Sequence, residues 1–385
     1  MRHSIPAILL SLILAIVLPS CREVPEPALP THEHADRTVV IYMAANNSLG
    51  SNGADVDDMD EMSAAMTGGQ FPDSTKVVVF HAPYTNGKTH SLLQLERDGS
   101  WTTLKTYPQG LSSVSPERMR QALADVITLA PAAHYGLILW SHAMGWTNGP
   151  DSKPASVLRS FGLDNRQEMT ITDMASALAG FKFEYIYFDC CYMGSVEVIY
   201  ELRDNAPLIV ASPAEVPFDG MPYQTTLPLL AKGRPVDAAK ATAAHYEGRT
   251  GSYCPSTFGA IRTGALDALA EATADVYRTA IQGPLPDTFT PQRFSVNSNN
   301  NFFDLEQYVE AITTDPALLD RWRKALDDAV ISQSHSPAMW ARRCCTTADF
   351  PPTYSSPGPT TGATATTVSH GPHASAPSPT TNHNP

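Results

Sequence analysis

The sequence predicts an α/β protein: a mostly parallel central sheet covered by helices on both faces, with a small helical part towards the C-terminus. Two observations carry this. From Arg37 onward apolar strand runs alternate with amphipathic helical segments, the order that strand–helix–strand units impose. The runs Tyr135–Trp140 and Tyr185–Phe188 carry no charge, as expected of strands covered on both faces. A span of about 300 residues is ample for one large core.

In chain order, residues 1–21 (MRHSIPAILLSLILAIVLPSC) have a basic tip, an apolar centre too short to cross a membrane, and a small residue before Cys21. They read as a signal peptide. Leu18-Pro19-Ser20-Cys21 resembles a bacterial lipobox, with Cys21 as the lipidated residue; an ordinary secretory peptide cut nearby is the alternative. Either places the protein outside the cytoplasm, and the first anchors it to the membrane. Residues 22–36 hold prolines at 25, 27 and 30 and little to bury, and read as a flexible linker.

Strands are expected at Thr38–Met43, Lys76–His81, Ser91–Glu96, Tyr135–Trp140, Glu184–Phe188, Leu208–Ala211 and Thr257–Arg262. Helices are expected at Asp55–Met66, Pro116–Leu129, Thr172–Ala179, Ser195–Arg203, Val236–Glu247 and Ala265–Ile281. The stretch SLLQLERDGSWTTLKTY from Ser91 reads as a hairpin or edge excursion. Asp55, Asp57, Asp58, Asp60 and Glu61 read as an acidic helix start, with calcium binding as the weaker alternative.

The chemistry gathers at two strand ends. Tyr135–Trp140 releases Ser141 and His142, and Tyr185–Phe188 breaks at Asp189 into Cys190, Cys191 and a helix begun by Ser195. If the two strands are parallel neighbours, His142 and the thiol pair share the carboxyl edge of one sheet, where ligands bind in open α/β folds. A thiol near a helix N-terminus is expected to favour thiolate. That is a Cys/His dyad. The competing readings are a small buried hydrophobe for a cysteine and a plain loop residue for the histidine.

Thr147–Met169 is long, polar and rich in Gly, Pro and Ser, and reads as a functional loop. The tail from Cys344 to Pro385 is rich in Pro, Ser and Thr, and from Pro351 it lacks Asp, Glu, Lys and Arg, so it cannot fold alone. It is either a genuine mucin-like tail or the product of a reading frame lost near residues 335–345. The net charge of −13 argues against nucleic acid and suits cationic substrates. The six cysteines show no zinc spacing, so no structural metal and no cofactor are expected.

Four stretches resemble the clostripain family of cysteine peptidases, relatives of caspases, legumains and gingipains: RTVVIYMAANNSLG from Arg37 with the acidic helix after it, LILWSHAMGW from Leu137, FDCCYMGSVEV from Phe188, and IVASPAEVPFDGMPY from Ile209. The resemblance implies a three-layer caspase-like fold over residues 37–343 and a monomeric endopeptidase cutting after Arg or Lys. It implies His142 and Cys191 as the dyad. Cys190 falls where the family has a small residue, and Ala143 where it often has Gly. Asp189 falls on the acid that holds the basic substrate side chain, Asp219 on a second acid, with Glu215 in reserve. Oxyanion donors are expected among the backbone N–H groups near Cys191 and at Ala143 or Gly145. Family members commonly activate by cutting themselves after a basic residue in the long loop, here Lys153, Arg159 or Arg166, with Arg159–Ser160 preferred because Pro154 follows Lys153. Some need calcium. The alternative is a peptidase fold serving as a non-cleaving binding module on the cell surface. A redox role for the adjacent thiols is disfavoured, since such a pair closes only a strained ring.

Overall fold

The structure, a computed structural model, describes residues 34–84, 89–146, 160–249, 256–279, 291, 292, 294, 302–336, 338, 339, 342 and 343. The chain begins with β1 (Ala35–Ala44), α1 (Ser48–Ser51), α2 (Ala54–Thr67), β2 (Thr75–Ala82), β3 (His90–Leu95), β4 (Trp101–Tyr107), α3 (Pro116–Leu129) and β5 (Ala132–Trp140). Then follow β6 (Ala143–Gly145), β7 (Ser160–Asp164), β8 (Gln167–Thr170), α4 (Ile171–Leu178), β9 (Tyr185–Asp189), α5 (Val196–Glu201) and β10 (Leu208–Ala211). After these come α6 (Tyr223–Ala231), α7 (Pro235–Tyr246), β11 (Thr257–Arg262), α8 (Leu266–Thr279), α9 (Leu305–Ile312), α10 (Pro316–Ala329) and β12 (Val330–His335).

Local chemistry sets the helix starts. The Ser115 hydroxyl accepts from Arg118 N–H with Pro116 in the first turn, Thr170 caps α4, and Asp315 with Pro316 opens α10. The sheet runs β12-β11-β10-β9-β5-β1-β2-β3-β4, and its middle five strands pair in parallel. Their side chains alternate between two buried layers. Leu137, Leu139, Ile186 and Phe188 face α3, α4, α5 and α8, whereas Ile138, Trp140, Tyr185 and Tyr187 face α2, α6 and α7. Each such side chain contributes on the order of 2 kcal/mol. The expected three-layer α/β architecture is therefore present.

Four particulars differ from the sequence reading. Thr257–Arg262 is a strand, but antiparallel to β10, and β12 continues that edge. The C-terminal helices are not an appendage: Trp322 of α10 is fully buried in the main core, its indole N–H donating to Thr273 Oγ1 at 2.9 Å. The linker ends early, because Ala35 already pairs with Ala132. Thr147–Met169 is not a loop throughout: Ser160–Thr170 folds into the β7–β8 hairpin, which β6 extends to three strands. Phe161 and Met169 bury the apolar side of that hairpin, and Asn165 and Arg166 turn it at φ 46° and 70°. The expected signal peptide with Cys21, the candidates Lys153 and Arg159, and the tail from Cys344 lie outside the described residues.

Candidate active site

In the β5–β9 pairing, Trp140 stands opposite Asp189. His142 and Cys191 each follow two residues beyond that pair, at the carboxyl edge of neighbouring parallel strands. Alternation carries Cys190 back into the core, where it is 1% exposed and its thiol donates to Leu139 O at 2.9 Å. Cys191 keeps partial exposure. The chain then reverses at Tyr192, whose φ of 61° is unfavourable for a bulky L-residue. Stacking of its ring on Phe302, centroids 4.7 Å apart, and donation of its N–H to Ala214 O at 2.9 Å hold that turn. Gly194 serves by close approach rather than by an unusual φ: a Cβ there would lie 2.6 Å from Pro213 N.

Cys191 Sγ accepts from Val216 N–H at 3.3 Å and donates to Val216 O at 3.8 Å. Burial pushes its thiol up to about 11, and the charges of Glu215 and Asp189 push the same way. Burial thus works against the expected thiolate, the desolvation cost outweighing the N–H bond that favours it. His142 Nε2 is hydrogen-bonded to Ser48 Oγ at 2.7 Å, and burial lowers the imidazole's proton affinity. Both shifts favour the neutral forms, and the hydrogen bonds of the two side chains run to other partners. Nδ1 is left as the ring atom for proton transfer.

Ser48 is placed by the residue before it. Asn47 caps α1 by accepting from Leu49 N–H at 2.9 Å, and its amide donates to Ala44 O and Leu163 O, each at 2.8 Å. This ties the β1–α1 turn to the hairpin beside His142. Ala143 is an ordinary strand residue opposite Phe161, so the missing glycine costs nothing there. Glycine is required at Gly145, with φ 57° and a position where a Cβ would lie 2.2 Å from Tyr192 O. The N–H groups of Tyr192 and Gly194 already donate to Ala214 and Ser212, which removes them as oxyanion donors.

Asp189 is 5% exposed and turns to the face opposite Cys190. Its Oδ2 accepts from Met221 N–H at 3.3 Å, while Oδ1 lies beside the Tyr223 hydroxyl without a hydrogen bond of regular geometry. Burial pushes this carboxyl up to about 6. Asp58 of α2 is buried next to it, its Oδ2 accepting from Trp140 Nε1 at 2.6 Å; burial and then the Asp189 charge raise its proton affinity too. Asp219 is exposed and ion-paired with Arg249 at 3.3 Å, and Glu215 is half-buried near the thiol. Asp55 is paired with His81 at 2.7 Å, and Glu61 accepts from Gln224 N–H at 3.4 Å. Among the described residues no group of three or more His, Cys, Asp or Glu could hold a metal ion, and no helix is long and apolar enough to cross a membrane.

The sequence reading missed Ser48, the Val216 backbone and the position of Asp58 beside Asp189. Only Ser48 had a local signal, the helix-capping Asn47 before it. Arg166 is exposed in the hairpin turn, paired on both flanks, and is therefore not in the extended form a scissile segment takes. Ser160, the expected new N-terminus, is 1% exposed and paired with Gly145.

The profile of the clostripain family matches residues 41–335. A secreted C11 cysteine protease from Bacteroides thetaiotaomicron, solved with an irreversible peptide inhibitor, is 25% identical over 84% of this chain and 90% of that one, with a TM-score of 0.68. A second structure from that organism, "iotapain", is 24% identical over 84% and 94%, with a TM-score of 0.72. An inactive zymogen C11 protease from Parabacteroides distasonis is 26% identical over 79% and 85%, with a TM-score of 0.67. No curated protein matches the chain.

Proposed function

The chain belongs to the clostripain family and is a cysteine peptidase; on that premise we propose that it is an endopeptidase cleaving after Arg or Lys through Cys191 and His142. The observation that carries this reading is the register of β5 and β9, which sets the two residues equally far beyond the Trp140–Asp189 pair. In the reaction, His142 Nδ1 takes the thiol proton as Sγ attacks the scissile carbonyl, then gives it to the leaving amine. Water hydrolyses the resulting thioester. Asp189, with Glu215 nearer the rim, receives the basic side chain, whereas Asp219 is paired with Arg249 and would have to exchange that partner to take part. No cofactor is required, and the enzyme acts as a monomer.

We further propose export by residues 1–21, a lipid anchor on Cys21, a linker ending at residue 34, a peptidase domain from 35 to 343 and a Pro/Ser/Thr-rich tail from 344 to 385. The relative described as secreted supports export. The zymogen described as inactive supports activation by cleavage after Lys153 or Arg159, between β6 and β7. Hydrolysis of a dye-labelled Arg peptide, lost in both Cys191→Ala and His142→Ala, tests the reading. Full activity in either variant overturns the dyad.

A further inference from the structure

A cleft of about 610 Å³ opens beside Ser48, the hydrogen-bond partner of His142, with Asn46, Tyr84, Asn165 and Arg166 also among its lining. Its place follows from the order of strands along the carboxyl edge, β10-β9-β5-β1-β2. Asp189 and Cys191 end β9, His142 follows β5, Asn46 to Ser48 follow β1, and Tyr84 follows β2. If the basic side chain before the scissile bond goes to Asp189, the leaving amine faces His142. The peptide after that bond then continues past Ser48 towards β1 and β2, and the cleft lies on that path. We infer that this cleft is the subsite for residues following the scissile bond, and that it selects an acidic side chain there. The inference rests on the peptidase reading above.

Arg166 supplies the charge. In a chain of net charge −13 it is exposed at the cleft, and among the described residues it has no ion-pair partner. Two acids lie two positions from it in sequence: Glu168, whose Oε2 is buried without a hydrogen-bond partner, and Asp164, which is already satisfied. Its Oδ2 accepts from the Ser112 hydroxyl at 2.7 Å, Ser113 N–H at 2.6 Å and Ser113 Oγ at 2.9 Å, and its Oδ1 accepts from Asn46 Nδ2 at 2.6 Å.

The backbone of the turn that carries Arg166 is held from several sides. Asn165 and Arg166 both lie in the left-handed region, which Asn165 enters readily and Arg166 only where its surroundings hold it. The hold comes from the β7–β8 pairing, from donation of Asn165 N–H to Asn46 O at 3.0 Å, and from the Asp164 cluster. The held backbone fixes where the side chain starts, and a guanidinium can bind a carboxylate through two parallel hydrogen bonds.

The test uses quenched peptides with Arg before the scissile bond and Asp, Glu, Ala or Lys after it, alongside an Arg–dye amide with no residue after the bond. Wild type is expected to cut the Asp and Glu peptides about tenfold faster in kcat/KM than the Lys peptide, with Ala between, as one well-placed ion pair allows. Arg166→Ala should flatten this series and Arg166→Glu should invert it. The readout is the ratio within each variant, so partial activation does not distort it. Wild type that cuts the Arg–dye amide yet shows no charge preference overturns the subsite alone, as does an acidic preference surviving in Arg166→Glu. If neither the amide nor any peptide is cut after Arg, the peptidase reading fails and the subsite fails with it.

Discussion

Ser48 Oγ lies 2.7 Å from His142 Nε2, although the two residues are 94 positions apart in sequence. A hydroxyl there accepts from Nε2–H when Nδ1 takes the thiol proton, and so stabilises the imidazolium that forms. Ser48→Ala is expected to lower kcat on an Arg–dye amide on the order of tenfold with KM little changed. The pH limb belonging to His142 should move to lower pH. Ser48→Thr, which keeps the hydroxyl, should restore most of the loss. An unshifted pH profile in Ser48→Ala would reduce the contact to a packing detail.

The Asp189 carboxyl must be ionised to hold a cation, and burial sets its value at about 6. For Arg substrates kcat/KM should therefore fall as pH drops through about 6. Asp189→Asn should lose about 2–5 kcal/mol of transition-state binding on Arg substrates. The folded state holds this proton more tightly than the unfolded chain, so ionisation between roughly pH 4 and the folded value costs stability. Asp189→Asn should accordingly melt no lower than wild type at pH 7. Unchanged kinetics would shift the pocket acid to Asp219 or Glu215.

With its thiol at about 11, Cys191 in the uncut chain should react slowly with iodoacetamide at neutral pH. The rate should rise about tenfold per unit from pH 7 to 10 with no plateau. Mass mapping should find the label on Cys191 and none on Cys190, which is buried on Leu139 O. A plateau near or below pH 8 would mean that the resting nucleophile is already a thiolate.

Activation by self-cleavage predicts that wild type passes from one chain to two while Cys191→Ala stays whole until wild-type enzyme is added. Arg159→Ala should delay conversion or move it to Lys153. Because Ser160 is buried and paired with Gly145, a cut at Arg159–Ser160 has to free the first residue of β7. N-terminal sequencing of the second chain locates the bond. Full turnover of an Arg peptide by an uncut chain would leave residues 147–159 a passive insertion.

The strands that carry His142 and Cys191, the burial of Cys190 and most helix starts follow from local sequence. A run such as Tyr185–Phe188 needs cover on both faces, alternation assigns each following side chain to a layer, and Ser115, Ser195 and Asp315 satisfy their own helix N-termini. Tertiary structure alone decided that Ser48 meets His142, that Asp58 lies against Asp189, that Arg249 occupies Asp219, and that half of an apparent loop is the hairpin holding Arg166. The physical reason is range. Periodicity and capping act over a few residues, whereas the thiol's environment and the placing of a cation at the cleft depend on desolvation and on hydrogen bonds between segments brought together only when the sheet assembles.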